Sequence, residues 1–150
     1  MDALYLLLKF VHIAAVVVWI GGLLALAVIT ARLARAGEGV ALAAMRRQNR
    51  FFGQAVVGPA GGVALLAGLA MVGQAGWGFG SLWVVWGLVG FVVSMLLGAV
   101  PIRRAGEAVD ALAPDDPRLA PLQSRLATLS AVNLLVLASV VWAMVFKPTL

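Results

Sequence analysis

The 150-residue chain is 63% hydrophobic and 11% charged, with eleven Lys and Arg against six Asp and Glu and a mean hydropathy of +1.06. A soluble surface normally needs about a quarter of its residues charged, so the composition excludes a water-soluble protein and points to one integral membrane domain with the lipid bilayer as its main partner. The absence of cysteine excludes disulfides, thiolate metal sites and CxxC redox chemistry, and the net charge of +5 sits in short loops beside apolar runs, where positive-inside bias explains it without nucleic acid.

A membrane-spanning helix needs about 20 mostly apolar residues. The first such run covers about 4–31 and is interrupted only by Lys9 and His12. It is too long for a signal peptide, has no basic residue ahead of it and ends in arginines, so it is expected to stay in place as a span. Residues 51–102 carry no charge and are too many for one crossing. Gly76-Trp77-Gly78-Phe79-Gly80-Ser81 breaks them into spans at about 51–74 and 82–102. The last run, 126–146, lies between Arg125 and Lys147. The expected fold is therefore all-α, a transmembrane four-helix bundle.

Nine of the eleven basic residues fall in the first and third loops, and the glycine-rich hairpin has none. The positive-inside rule then places both termini on the extracytoplasmic side. In the first loop Gly37-Glu38-Gly39 is a breaker, after which 40–50 can continue as a helical extension of the second span. In the third loop Glu107 is spaced to pair with Arg103 or Arg104 on a solvated helix. Pro114-Asp115-Asp116-Pro117 reads as turn chemistry, with Asp116 capping a last helix that starts at Pro117.

Small residues carry the packing. Gly61 and Gly68 lie one heptad apart in the second helix, and Gly87 and Gly98 share a face of the third. Such faces let helix backbones approach, within the bundle or across a homodimer. Pro59 removes a backbone donor and predicts a kink. Trp77, Trp83, Trp86 and Trp142 fall at the expected outer interface as anchors. Trp19 is mid-span, where a buried indole N–H needs a partner.

Chemistry concentrates on the first helix. Tyr5, Lys9, His12, Val16, Trp19 and Leu23 fall on one stripe expected to face the bundle. At 1.5 Å per residue from Leu4, Lys9 lies about 7 Å deep and can snorkel, whereas His12 lies about 12 Å deep with a side chain too short to do so. Ionisable residues at such depth mark candidate sites. His12 can hydrogen-bond a neighbouring helix, with Ser139 and Asn133 as side-chain partners, ligate a metal or haem iron, or relay protons with Lys9 and Tyr5. A protein-only copper site is poorly supplied, because there is one His and the methionines are scattered. Haem needs only His12, His12 with a Met, or two copies of His12 across a dimer.

The run Tyr5-Leu6-Leu7-Leu8-Lys9-Phe10-Val11-His12-Ile13, followed by Trp19-Ile20-Gly21-Gly22, resembles the first helix of small bacterial four-helix membrane proteins related to copper-resistance protein D, an uncharacterised family among them. It is also similar to the opening helix of HemJ-type protoporphyrinogen oxidase, whose Lys-x-x-His pattern carries a histidine thought to ligate haem. The specific part covers about twenty residues, one helix of a bundle. The resemblance implies a multi-pass protein of the bacterial inner membrane, with His12 and its neighbour Lys9 as candidate residues for haem b and His12 as the metal ligand; the stripe adds Tyr5 to the candidate cofactor-binding residues. The functions in play are a haem-binding or electron-transfer-associated protein, a HemJ-like oxidase, and a cofactor-free structural helper.

Overall fold

A computed structural model describes residues 2–113 and 116–148, so part of the expected Pro114–Pro117 turn lies outside the described residues. Four long helices are apolar enough to cross a membrane: α1 (Ala3–Arg35), α2 (Gly39–Gln74), α3 (Leu82–Asp110) and α4 (Leu119–Phe146). At 1.5 Å per residue α1 is about 50 Å long, more than the ~30 Å hydrocarbon core, so it continues beyond the apolar layer.

The ends follow local chemistry. Asp2 caps α1, its carboxylate accepting from the Leu4 N–H at 3.3 Å. The chain then turns at Gly37, where φ is +70°, and resumes as helix at Gly39. Gly76, at φ +67°, opens the hairpin between α2 and α3. The last helix differs from the expectation: it begins at Leu119 rather than Pro117. Asp116 is engaged elsewhere, accepting from the Arg118 backbone N–H at 2.8 Å and from its guanidinium at 2.8 and 3.1 Å. Those bonds hold its carboxyl at about 2, below the usual 3.8. The expected i,i+4 pair forms between Arg103 and Glu107 at 3.5 Å; Arg104 makes no ion pair among the described residues.

Two prolines are absorbed by wide turns inside continuous helices. In α2, residues Gly53–Val57 form a π turn in which the Gly58 N–H bonds the Gly53 carbonyl, just before Pro59. In α3, Gly98–Ile102 does the same around Pro101. The defect anticipated at Pro59 thus takes the form of a shifted hydrogen-bond register.

Packing runs α1 against the second half of α2, α3 against α4, and α1 across to α4. The α1–α2 seam is pinned along its length by Gln74 Nε2 to Asp2 at 2.9 Å, His12 to Ala64 at 2.7 Å and Asn49 Nδ2 to Thr30 at 3.0 Å. Mid-bundle, Ala15, Trp19, Val57, Ala64 and Leu137 form the core, with Phe91 against it. Val72, Trp83 and Val84 make a second cluster towards the hairpin. Gly61 and Gly68 do face a neighbour, as their spacing predicts: Trp19 lies over the first and His12 over the second. On α3 it is Gly87 and Gly90 that meet α4, through Met144 and Val140, while nothing approaches Gly98.

Candidate functional site

The α1 stripe splits on folding. Tyr5 and His12 are half-buried and Trp19 is buried, but Lys9 is exposed. Successive helical residues turn by 100°, so Lys9 sits about 60° around the axis from His12, at the flank of the seam rather than in it. No ion pair reaches Lys9 among the described residues.

His12 is fixed by backbone, not by a side chain. Its Nδ1 lies 2.7 Å from the Ala64 carbonyl oxygen. A carbonyl only accepts, so Nδ1 carries the hydrogen, and in the neutral ring Nε2 keeps a lone pair. The approach is open because residue 68, one turn beyond Ala64, has no side chain: a Cβ there would sit 3.1 Å from Cε1 and 3.2 Å from Nδ1. The Ala64 carbonyl, inside a regular helix, uses its second lone pair for the imidazole. Ser139, expected as a partner, instead donates to the Val136 carbonyl at 2.7 Å and accepts from Trp86 Nε1 at 3.3 Å. Asn133 and Ser94 are both buried, neither bonds His12, and Asn133 Oδ1 has no partner among the described residues.

Trp19 lies against the edge of Phe91, ring centroids 5.4 Å apart, and over Gly61. The indole is accommodated by shape, with no hydrogen-bond partner among the described residues.

At the hairpin end of the bundle the aromatic residues assemble into a box. Tyr5 meets Trp77 edge-on with centroids 6.2 Å apart, and Trp77 meets Trp83 at 5.1 Å. The Lys147 ammonium lies 4.1 Å from the Trp77 ring centre and 5.3 Å from that of Trp83, within cation–π range. The left-handed backbone at Lys147, φ 45°, ends α4 and turns the side chain onto the rings. From the sequence Lys147 bounds the last span on the outer face, without a partner assigned to it. Its signal was available: it is one of two cations expected at the tryptophan-rich end.

What can this arrangement do? Among the described residues no three His, Cys, Asp or Glu gather as a metal site. Two furrows of about 600 and 450 Å³ exist on α1 and α2, and neither is lined by His12, Lys9 or Tyr5. What the site offers is one oriented imidazole, with an ammonium and a phenol on the turns outward from it.

No curated protein and no solved structure matches the chain. The model of a family described as predicted integral membrane protein, DUF2269, matches residues 6–148. That match spans nearly the whole chain, and together with four apolar helices it places the protein plainly: the chain belongs to the DUF2269 family of integral membrane proteins.

Proposed function

We propose that this is a multi-pass protein of the bacterial inner membrane that binds haem b through His12 and serves electron transfer without catalysing a reaction of its own. The observation that carries the reading is the 2.7 Å bond from Nδ1 to the Ala64 carbonyl. Metal-ligating histidines characteristically donate their other ring N–H to a carbonyl or carboxylate, which fixes the tautomer and raises the basicity of the ligating nitrogen. Lys9 and Tyr5, on the outward turns of the same helix, offer an ammonium and a phenol to haem carboxylates.

His12 would be the residue that holds the haem iron, with Lys9 and Tyr5 near its carboxylates, and no closed cavity surrounds them. A second ligand would come from another copy of His12. Because Gly61, Gly68, Gly87 and Gly90 are engaged inside the bundle, they are not available to such a homodimer. Bound haem would supply one-electron redox chemistry. The HemJ-like alternative has less support, since the oxidase carries a lysine on the third helix and Trp83–Gly87 here has none.

A second reading, a cofactor-free helper, is favoured by the Gly68 contact, because the imidazole is already seated against α2 as a clamp. Visible absorption of detergent-purified protein after haem reconstitution decides between them. Haem binding gives a Soret band that His12→Ala abolishes. A protein that stays colourless, and whose His12→Ala variant is less stable, supports the clamp and removes the haem proposal.

A further inference from the structure

Away from His12, on the arginine-rich half of the molecule, α1 and the first half of α2 enclose a furrow. Its inner stretch, about 450 Å³, is walled by Gly22, Leu26, Ile29 and Phe52. Its outer stretch, about 600 Å³, runs past Leu33 to Arg47, and the two share Met45 and Gln48. From Gly22 to Leu33 the furrow follows α1 for about 16 Å, close to the hydrocarbon depth of one leaflet. Along that length it passes from apolar walls to a cation, the order met in a phospholipid from acyl chain to phosphate.

The polar end carries charge that the protein does not use. Arg46 lies 3.0 Å from Asp110, Arg103 is paired with Glu107 and Arg118 with Asp116. Arg47 is exposed and has no carboxylate within ion-pair distance among the described residues. Asn49, also in the furrow wall, donates through Nδ2 to Thr30, while its buried Oδ1 accepts from nothing among the described residues. Asn49 thereby ties the furrow wall to α1.

We propose that this furrow is a binding site for one anionic glycerophospholipid, its acyl chain lying along Gly22–Ile29 and its phosphate held by Arg47. The site is separate from His12 and does not depend on any cofactor there. Helix-lined basic pockets near a charged membrane surface recognise lipid headgroups by this combination of charge and apolar wall.

The test is native mass spectrometry of the full chain released from nanodiscs containing equal phosphatidylglycerol and phosphatidylcholine. One phosphatidylglycerol should be retained per chain. Arg47→Gln should lower its retention about five-fold, and Ala25→Phe, which fills the inner stretch while leaving every arginine, should lower it as well. Arg104→Gln, an exposed cation outside the furrow, should leave retention unchanged, and inorganic phosphate at millimolar concentration should not displace the lipid. Equal retention of the two lipids, or equal losses in Arg47→Gln and Arg104→Gln, would reduce the site to general surface charge and overturn the proposal. So would displacement by phosphate alone, or a lipid-free dimer that covers the furrow.

Discussion

His12 and Gly68 act on each other, and that coupling can be measured. The imidazole is anchored at 2.7 Å to Ala64 and cannot retreat from a Cβ that would lie 3.1–3.2 Å from its ring without stretching that bond. Gly68→Ala should therefore show a net loss of up to about 1 kcal/mol, even though alanine is the better helix former by about 0.5–1 kcal/mol. In a His12→Ala background the same change should become neutral or stabilising, leaving a coupling of about 0.5–1.5 kcal/mol in a double-mutant cycle of unfolding in mixed micelles. Strict additivity would mean that the ring does not rest on Gly68. That His12 lies inside the first long apolar helix was legible in the sequence. Its partner was not. The expected partners were polar side chains, Ser139 and Asn133, whereas the bond goes to a backbone carbonyl, which every residue owns and no residue type announces. Lys9 was misplaced for a related reason: membership of a stripe tolerates an offset that decides between seam and flank.

Glycine has different consequences at different points along the same helix. Gly90 lies under Val140, whose β-branched side chain has little rotamer freedom to yield, so Gly90→Ala should cost about 1–3 kcal/mol by overpacking. Gly87 lies under the end of Met144, a flexible thioether that can swing aside, and Gly87→Ala should cost less than about 1 kcal/mol. Gly98 meets nothing, so Gly98→Ala should be neutral or slightly stabilising. Thermal unfolding in detergent should return that order, and a Gly98 variant as damaged as Gly90→Ala would show that α3 and α4 pack differently. Helix spacing did place Gly87 and Gly98 on one face. It could not say what stands opposite, and at Gly98 nothing on α4 comes within reach of an added Cβ. The four spans were legible because uncharged runs of about 20 residues have few alternatives to crossing a bilayer. The start of α4 was not, since Asp116 could cap a helix at Pro117 or fold onto Arg118, and its three hydrogen bonds to Arg118 favour the second.

The two ends of the whole bundle are held by opposite chemistries, and from that difference one orientation in the membrane is predicted. At one end are the arginines of the first and third loops, with the ion pair between Arg46 and Asp110 tying α2 to α3. At the other, the interhelix contacts are the Asp2–Gln74 hydrogen bond and the aromatic box closed by Lys147. Moving several arginines across a bilayer opposes the membrane potential and the bias of insertion, whereas an end with two lysines and a tryptophan girdle translocates readily. Reporter fusions should therefore read cytoplasm at Val40 and Leu112 and the outside at Gly78 in the hairpin. The lysines supply an internal control. Adding arginines beside Gly78 should weaken the outward signal there, while Lys147→Gln should leave topology unchanged and loosen only the contact with Trp77, seen as a shift in tryptophan emission. An inverted pattern would carry His12 to the cytoplasmic leaflet, put Arg47 of the lipid furrow outside, and leave both proposed sites facing the wrong chemistry.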